Sequence, residues 1–404
     1  MEKRNSQQVY KTIMLIIITV LITALVTTIV IYNFVIKSGK IAIKSEDNSS
    51  LSGLEATLAS FRSVLEEKYM GEIDDEALIE GAIKGYVSAL GDPYTTYYTK
   101  EEMDELMEET TGNYVGIGIY MTLDIDNNAI YVVKPMEGSP AEEAGIQAGD
   151  LITKVDGKEY SGEELDQASN AIKGEEGTTV KLEILRDGET KELEVERRKI
   201  VVSHIVEKKF DNIGYLLIED FDGGCAKEFE EKYKELESQG IDRLIIDLRN
   251  NGGGVVDEAV SIADMLLDKD DTILITKDKK GNEEITKSEH NPTITMPVVV
   301  LTNGYSASAS EILVGALQDN ERATIVGTKT YGKGVIQEVD RLNDGSGLKI
   351  TIEEYYTPNK NEINKVGIEP DEEIDLSDEV KEQGTYTDDE DNQLQKAIEI
   401  IKEK

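Results

Sequence analysis

The chain holds a single cysteine, Cys225, so no internal disulfide can form. Nor does it have the histidine-and-asparagine setting that a cysteine nucleophile needs. Histidine is almost as scarce, with only His204 and His290. A Ser-His-Asp hydrolase would have to use one of these two, and both stand in ordinary sequence settings. Basic residues are outnumbered, 43 Lys and Arg against 82 Asp and Glu, for a formal charge of −39. Such a surface repels phosphate backbones, which argues against nucleic acid as a partner. It reads first as a solvated acidic surface and second as a preference for basic partners.

The 404 residues exceed one ordinary domain and suggest two or three. The apolar share of 39% and the scatter of 34 glycines are those of a globular protein. One segment departs from this. Residues 12–36, TIMLIIITVLITALVTTIVIYNFVI, carry no charge and are apolar on every face. At about 1.5 Å per residue they exceed the roughly 30 Å hydrocarbon core of a bilayer. No A-x-A-like cleavage site follows, so the expectation is an uncleaved, single-pass transmembrane anchor preceded by a cytoplasmic stub, residues 1–11. Lys3, Arg4 and Lys11 precede the segment, and Lys37, Lys40 and Lys44 follow it. The basic residues nearly balance, and the N-terminal amine tips the count toward the N-terminus inside. The catalytic part is then expected on the extracytoplasmic side of the cell membrane.

A polar linker and a helical arm occupy 37–112. Leu54, Leu58, Phe61 and Leu65 recur at helical spacing, a second run covers Ala77 to Leu90, and Gly91-Asp92-Pro93 stops it. From Tyr114 the period changes to two. Val115, Ile117 and Ile119 alternate, as do Ile130 and Val132, and later Val180, Leu182 and Ile184. Asp156-Gly157 and Asp187-Gly188 mark hairpin turns, and Asp124 to Asn128 reads as another hairpin turn rather than a calcium loop. Residues 113–199 are thus a compact, mostly β unit. Over 200–372, strands GYLLIE, RLIIDL, PVVVLT and ATIVG alternate with helices near 226–238, 257–267 and 309–318, which is α/β layering. Residues 373–404 form an acidic tail ending in a helix, Gln393 to Lys402.

Three segments bear on chemistry. Ser308 lies between a buried strand and a helix, where free N–H groups can donate to a developing oxyanion. The same residues, Ser308-Ala-Ser-Glu311, are also a capping box, in which Ser308 merely caps the helix. Asp247 to Gly254, DLRNNGGG, allows close backbone approach to a ligand, or is only a flexible turn. It is no nucleotide phosphate loop, since no Lys-Ser/Thr follows the glycines. In Gly327 to Gln337, GTKTYGKGVIQ, period-two alternation puts Lys333, Val335 and Gln337 on one face of a strand. A lysine between glycines can be desolvated, which lowers its pKa toward that of a general base, or it is a surface lysine in a turn.

Taken in order, these segments resemble the C-terminal processing peptidases, or tail-specific proteases. The resemblance rests on GDPYTTYYTKEE (91–102), YVGIGI (114–119), SPAEEAGIQAGDLI (139–152), DLRNNGGG (247–254), SASASEI (306–312), GTKTYGKGVIQ (327–337) and YYTP…GIEPD (355–371). It implies an α+β multidomain fold: transmembrane helix, helical arm, PDZ-like β domain and an α/β, crotonase- or Clp-protease-like serine peptidase core. It further implies Ser308 as nucleophile, Lys333 as general base and Gln337 as the residue that positions the lysine. The oxyanion hole would come from the N–H of Ala309 and of Gly252 or Gly253. Val115, Gly116, Ile117, Gly118 and Ile119 would form the carboxylate loop that binds a substrate C-terminus, a known mode of peptide recognition. Family members often have proline where this chain has Gly252, and the loop lacks their common G-L-G-F form. Lys173 is expected on the surface, the alternative being a basic switch residue in contact with the catalytic domain.

The implied activity is that of a membrane-anchored serine endopeptidase with no metal or organic cofactor, acting on proteins recognised by their C-termini. The N-terminal helices or the tail offer surfaces for a homodimer. The contrasting expectation is a catalytically silent PDZ adaptor on the membrane.

Overall fold

The computed structural model describes residues 51–404 apart from 112, 126, 137, 384 and 385. The expected transmembrane anchor lies outside the described residues. Among those described, no helix is long and apolar enough to cross a membrane. The chain divides into two compact units, Met1–Gly81 and Ala82–Lys404.

In the first unit, helix Leu51–Lys68 is followed by a short turn. There Asp74 accepts the N–H groups of Glu76 and Ala77 at 3.0 and 3.1 Å, capping the next helix, Asp75–Ser88. Arg62 forks onto Asp75.

The β unit foreseen from the period-two pattern is present. Strands Ile119–Asp124, Ala129–Pro135, Leu151–Val155, Thr179–Arg186 and Glu189–Glu196 follow one another across an antiparallel sheet. A separate ribbon pairs Asn113–Gly116 with Arg198–Val201. Val180, Leu182 and Ile184 are buried on one face, because side chains two apart in a strand point the same way. They share a core with Ile117, Ile130, Ile152, Val195 and, from helix Leu165–Ile172, Ala168 and Ile172. Asp156-Gly157 and Asp187-Gly188 have positive φ at both positions, the geometry of a tight hairpin turn. Residues 124–129 join two paired strands, as the hairpin reading expects.

The α/β part is built on a six-stranded sheet: Ile205–Phe210, Ile213–Ile218, Arg243–Asp247, Val298–Thr302, Ala323–Gly327 and Glu372–Glu373, in that spatial order. All neighbours are parallel except the first pair. The central strand Val298–Thr302 is buried throughout, because both faces of the sheet are covered. Leu244, Ile246, Val298 and Val300 pack with helices Cys225–Ser238, Val256–Leu266 and Ala309–Asp319. Ile245, Val299 and Leu301 pack with Leu394, Ala397 and Ile401 of helix Asn392–Lys402. The acidic tail is therefore a layer of the fold. Each of its buried Leu and Ile side chains contributes about 1.5–3 kcal/mol of burial.

A second sheet was not legible in the sequence. Strand Gly347–Tyr356 pairs with Thr96–Tyr98, Thr272–Asp278 and Val335–Arg341, and Thr272–Asp278 also pairs with Glu283–Lys287. The span 51–111, expected to be helical, thus contributes three residues of strand to the core. Three residues are too few to show a period, and the half-polar Gly347–Tyr356 does not alternate cleanly.

Candidate active site

Three neighbouring parallel strands deliver the three candidate segments to one end of the sheet. Arg243–Asp247 runs into the glycine loop, Val298–Thr302 into the serine turn and Ala323–Gly327 into the lysine segment. This is the carboxyl end of the strands, where open α/β sheets place their ligands.

Ser308 stands at the N-terminus of helix Ala309–Asp319 with φ 55° and ψ −115°. An ordinary helix cap sits in the unstrained β region. The capping box with Glu311 does form, so the two readings of this segment coexist, but capping alone calls for no strain. The strained turn sets Ser308 at the carboxyl end of the sheet, where its side chain accepts the Glu311 N–H. Ser308 is 9% exposed, and the N–H of Ala309 has no hydrogen-bond partner among the described residues.

The serine turn and the glycine loop are locked together. Ala307 N–H and Ser310 Oγ both donate to the carbonyl of Asn251, each at 3.0 Å. Ser306 Oγ donates to the carbonyl of Leu248 at 2.7 Å. Asn250 and Asn303 exchange two hydrogen bonds, 3.0 and 2.9 Å. Gly253, at φ 106°, lies so close that a Cβ there would stand 2.8 Å from both the Ala307 carbonyl oxygen and Ser308 Cβ. Of the two glycines, one of which is expected in the oxyanion hole, Gly253 already donates its N–H to Asn251 Oδ1 at 2.8 Å. Gly252 is exposed, and its N–H has no partner among the described residues.

Arg249 anchors the start of the loop. Its guanidinium is held by Asp247 at 2.6 Å and by Asp391 at 2.8 Å, with Gln393 accepting at 3.0 Å. Asp391 caps helix Asn392–Lys402, so the tail reaches the loop. No local pattern in the sequence marks this contact.

Lys333 is joined to the serine through Glu311, which is fully buried. One carboxylate oxygen of Glu311 accepts the N–H of Ser308 at 3.0 Å and of Lys333 at 2.8 Å. The other accepts Thr330 Oγ1 at 2.6 Å and the Gly332 N–H at 2.7 Å. The buried Tyr355 hydroxyl is shared by the carbonyl oxygens of Ser308, 3.0 Å, and Lys333, 2.7 Å. The Lys333 ammonium has no carboxylate partner among the described residues. It lies 4.9 Å from the centre of the Tyr94 ring. Burial, and then the nearby Lys349 ammonium, push its pKa below the ordinary lysine range, while Glu311 pulls the other way.

Gln337 does not share this arrangement in the expected way. A bulge between Ile336 and Gln337 shifts the strand register, so alternation from Lys333 does not extend to Gln337. Its amide donates to Thr351 Oγ1 at 3.5 Å, and among the described residues no hydrogen bond joins it to Lys333. The histidines stand in structural pairs, His204 with Asp220 at 2.6 Å and His290 with Asp264 at 2.7 Å. Cys225 is buried, and burial pushes its thiol well above the ordinary range, so it is no nucleophile.

A cavity of ≈ 280 Å³ opens beside the β unit. Gly116, Ile117, Gly118 and Ile119 line it, and the N–H groups of Ile117 and Gly118 have no partner among the described residues. Ile172 and Ser169 line the facing helix. Strand Ile119–Asp124 is an edge strand, open to a further strand on this side. Lys173, expected on the surface, is partly exposed and pairs with Glu108, from helix Lys100–Thr111, at 2.7 Å.

The chain is similar to known proteins over three segments and over most of its length. The description "Peptidase family S41" matches residues 212–374, "PDZ domain" matches 131–186 and "Activating protease CtpB N-terminal domain" matches 32–102. The "Probable CtpA-like serine protease" of Staphylococcus aureus (strain COL) is 37% identical over 351 residues, 86% of this chain and 69% of that one. Its namesake in Staphylococcus haemolyticus (strain JCSC1435) is 42% identical over 299 residues, 74% of this chain. The alignment spans 60% of that relative's length. Among solved structures, the photosystem II D1 C-terminal processing protease is 32% identical, with a TM-score of 0.46, over 78% of this chain and 86% of that one.

Proposed function

Because the chain belongs to peptidase family S41, we propose that it is a serine endopeptidase of the C-terminal processing type, with Ser308 as nucleophile and Lys333 as general base. One observation carries the reading. A strained serine at a helix N-terminus is tied through buried Glu311 to a lysine with a lowered pKa and no acidic partner.

Lys333 Nζ takes the Ser308 proton as the serine oxygen attacks the scissile carbonyl. The negative charge that develops falls between the unpartnered N–H groups of Ala309 and Gly252, at the positive end of the helix. The lysine then returns the proton to the leaving amine as the C–N bond breaks, and a water deprotonated by the same lysine hydrolyses the acyl-enzyme. Removal of either dyad member halts this sequence and leaves the oxyanion donors in place.

The cavity at 116–119 supports substrate selection by the C-terminus. A terminal carboxylate fits the free N–H groups, an apolar side chain fits between Ile117 and Ile172, and the peptide adds to the edge strand Ile119–Asp124. The apolar segment 12–36 supports attachment to the membrane, with the peptidase outside the cytoplasm.

The test is cleavage of an unfolded reporter with a free C-terminal tail by the wild type and by Ser308→Ala and Lys333→Ala. Loss in both variants, with unchanged melting, is the expected result. Cleavage by Lys333→Ala at the wild-type rate would sink the dyad.

A further inference from the structure

Tyr94 lies in the turn between helix Asp75–Ser88 and strand Thr96–Tyr98, outside the segment 212–374 that the peptidase family description covers. Its ring nevertheless faces the Lys333 ammonium, at 4.9 Å from ring centre to nitrogen. The turn is held firmly. Asp92 accepts the Tyr94 N–H at 3.1 Å and the Thr95 hydroxyl at 2.6 Å. Thr95 in turn accepts the N–H of Thr351 at 3.1 Å, and Thr351 receives the Gln337 amide. Strand Thr96–Tyr98 is stitched to Gly347–Lys349. Tyr331, two residues before the lysine, is near enough to the Tyr94 hydroxyl to raise its pKa.

We propose that Tyr94 is a positioning residue for Lys333: its ring roofs the amine, keeps bulk water from it and holds it at the mouth of the serine turn. The proposal rests on the reading of Lys333 as the general base. It also gives Gln337 a part, because Gln337, Thr351, Thr95 and Asp92 form one chain of hydrogen bonds ending in the turn that carries the ring. The peptidase core alone does not close its own active site, since the roof comes from the N-terminal arm, in the turn after helix Asp75–Ser88. Tyr94 does not itself take the serine proton. Burial, and next the neighbouring Tyr331, raise its hydroxyl pKa, so it stays protonated.

Two effects of the ring on the lysine oppose each other. Excluding water favours the neutral amine, whereas attraction between the ammonium and the ring face favours the charged one. Burial is the leading cause of the lowered lysine pKa, so removal of the ring, which rehydrates the amine, is expected to raise it.

The experiment is the pH profile of kcat/KM on the tailed reporter for the wild type, Tyr94→Phe, Tyr94→Ala and Asp92→Asn, with melting curves for each. Tyr94→Phe keeps the ring and is expected to keep the acid limb of the profile. Tyr94→Ala is expected to move that limb up by about one unit, so that cleavage near neutral pH falls about tenfold and recovers at higher pH. Asp92→Asn, which loosens the turn but keeps the ring, moves the limb the same way by less, and carries the test should Tyr94→Ala fold poorly. An acid limb unmoved in both the Ala and Asn variants overturns the proposal, as does Tyr94→Phe moving the limb as far as Tyr94→Ala. Lys333→Ala, run alongside, separates the two ideas. If it is inactive while Tyr94→Ala is unchanged, only the roof fails; if it is active, the dyad fails.

Discussion

The carboxylate of Glu311 accepts the backbone N–H of Lys333 at 2.8 Å and that of Ser308 at 3.0 Å, so one buried side chain fixes the backbone of both residues of the proposed dyad. Each of its oxygens receives two donors. Glu311→Gln turns one acceptor into a donor facing two donors. Leaving those groups unpaired costs about 1–3 kcal/mol each. The expected outcome is a lower midpoint in denaturant unfolding and a drop in kcat of about 100-fold or more. Wild-type kcat in a folded Glu311→Gln variant contradicts the linking role.

Gly253→Ala tests the contact between the glycine loop and the serine turn. The added Cβ would meet the Ala307 carbonyl oxygen at 2.8 Å and the Ala309 nitrogen at 3.0 Å, at a φ of 106° that side chains rarely adopt. The loop must move, and the oxyanion donors move with it. Loss of one such donor costs about 10²–10³ in kcat. The measurement is kcat alongside labelling of Ser308 by a fluorophosphonate, and both are expected to fall.

The lowered pKa of Lys333 sets the direction of the pH dependence. Only the neutral amine accepts a proton, so kcat/KM rises with pH through the lysine pKa, and this acid limb lies below the ordinary lysine value of about 10.4. Lys349→Ala removes a neighbouring like charge that holds the pKa down. Its acid limb is expected at higher pH than that of the wild type, as a full pH–rate profile will show.

Substrate selection at the 116–119 cavity is read by blocking the tail. A reporter ending in a free carboxylate and an apolar residue is expected to have a KM at least about tenfold below that of the same reporter with a C-terminal amide, because the amide forfeits a charge-assisted bond to the Ile117 and Gly118 N–H groups. Equal KM values for the two would remove the carboxylate loop from the mechanism.

Asp264 gives a prediction for acid stability that is independent of catalysis. Burial pushes its carboxyl up, but bonds from Ser288, His290 and the Glu289 N–H hold it down at about 2. Its folded pKa is depressed, so its contribution is present above the unfolded value of about 3.9 and is lost as pH falls through about 2. The contribution is ~2 kcal/mol. Asp264→Asn is expected to be less stable than the wild type by that amount at neutral pH. The gap should close near pH 2 in urea titrations.

By itself the sequence determined the parts whose signals are local. Period-two alternation placed Val180, Leu182 and Ile184 on one buried face, and Asp156-Gly157 and Asp187-Gly188 at tight turns. Continuous apolar runs marked the strands that end in the serine turn and the glycine loop. Ser308 and Lys333 were legible because motif chemistry sits at the ends of those strands. Tertiary structure decided whatever depends on residues far apart in the chain. Short-range patterns hold no record of register between distant strands. For that reason the sequence could not show Thr96–Tyr98 joining Gly347–Tyr356, Tyr94 reaching the lysine, or a bulge turning Gln337 toward Thr351. Nor could it show Asp391 of the tail closing on Arg249. The Ser308 segment illustrates the division. A capping box and a nucleophile turn share one sequence, and the strained backbone at Ser308, beside Gly253 and between two bonds to the Asn251 carbonyl, goes beyond what capping alone requires.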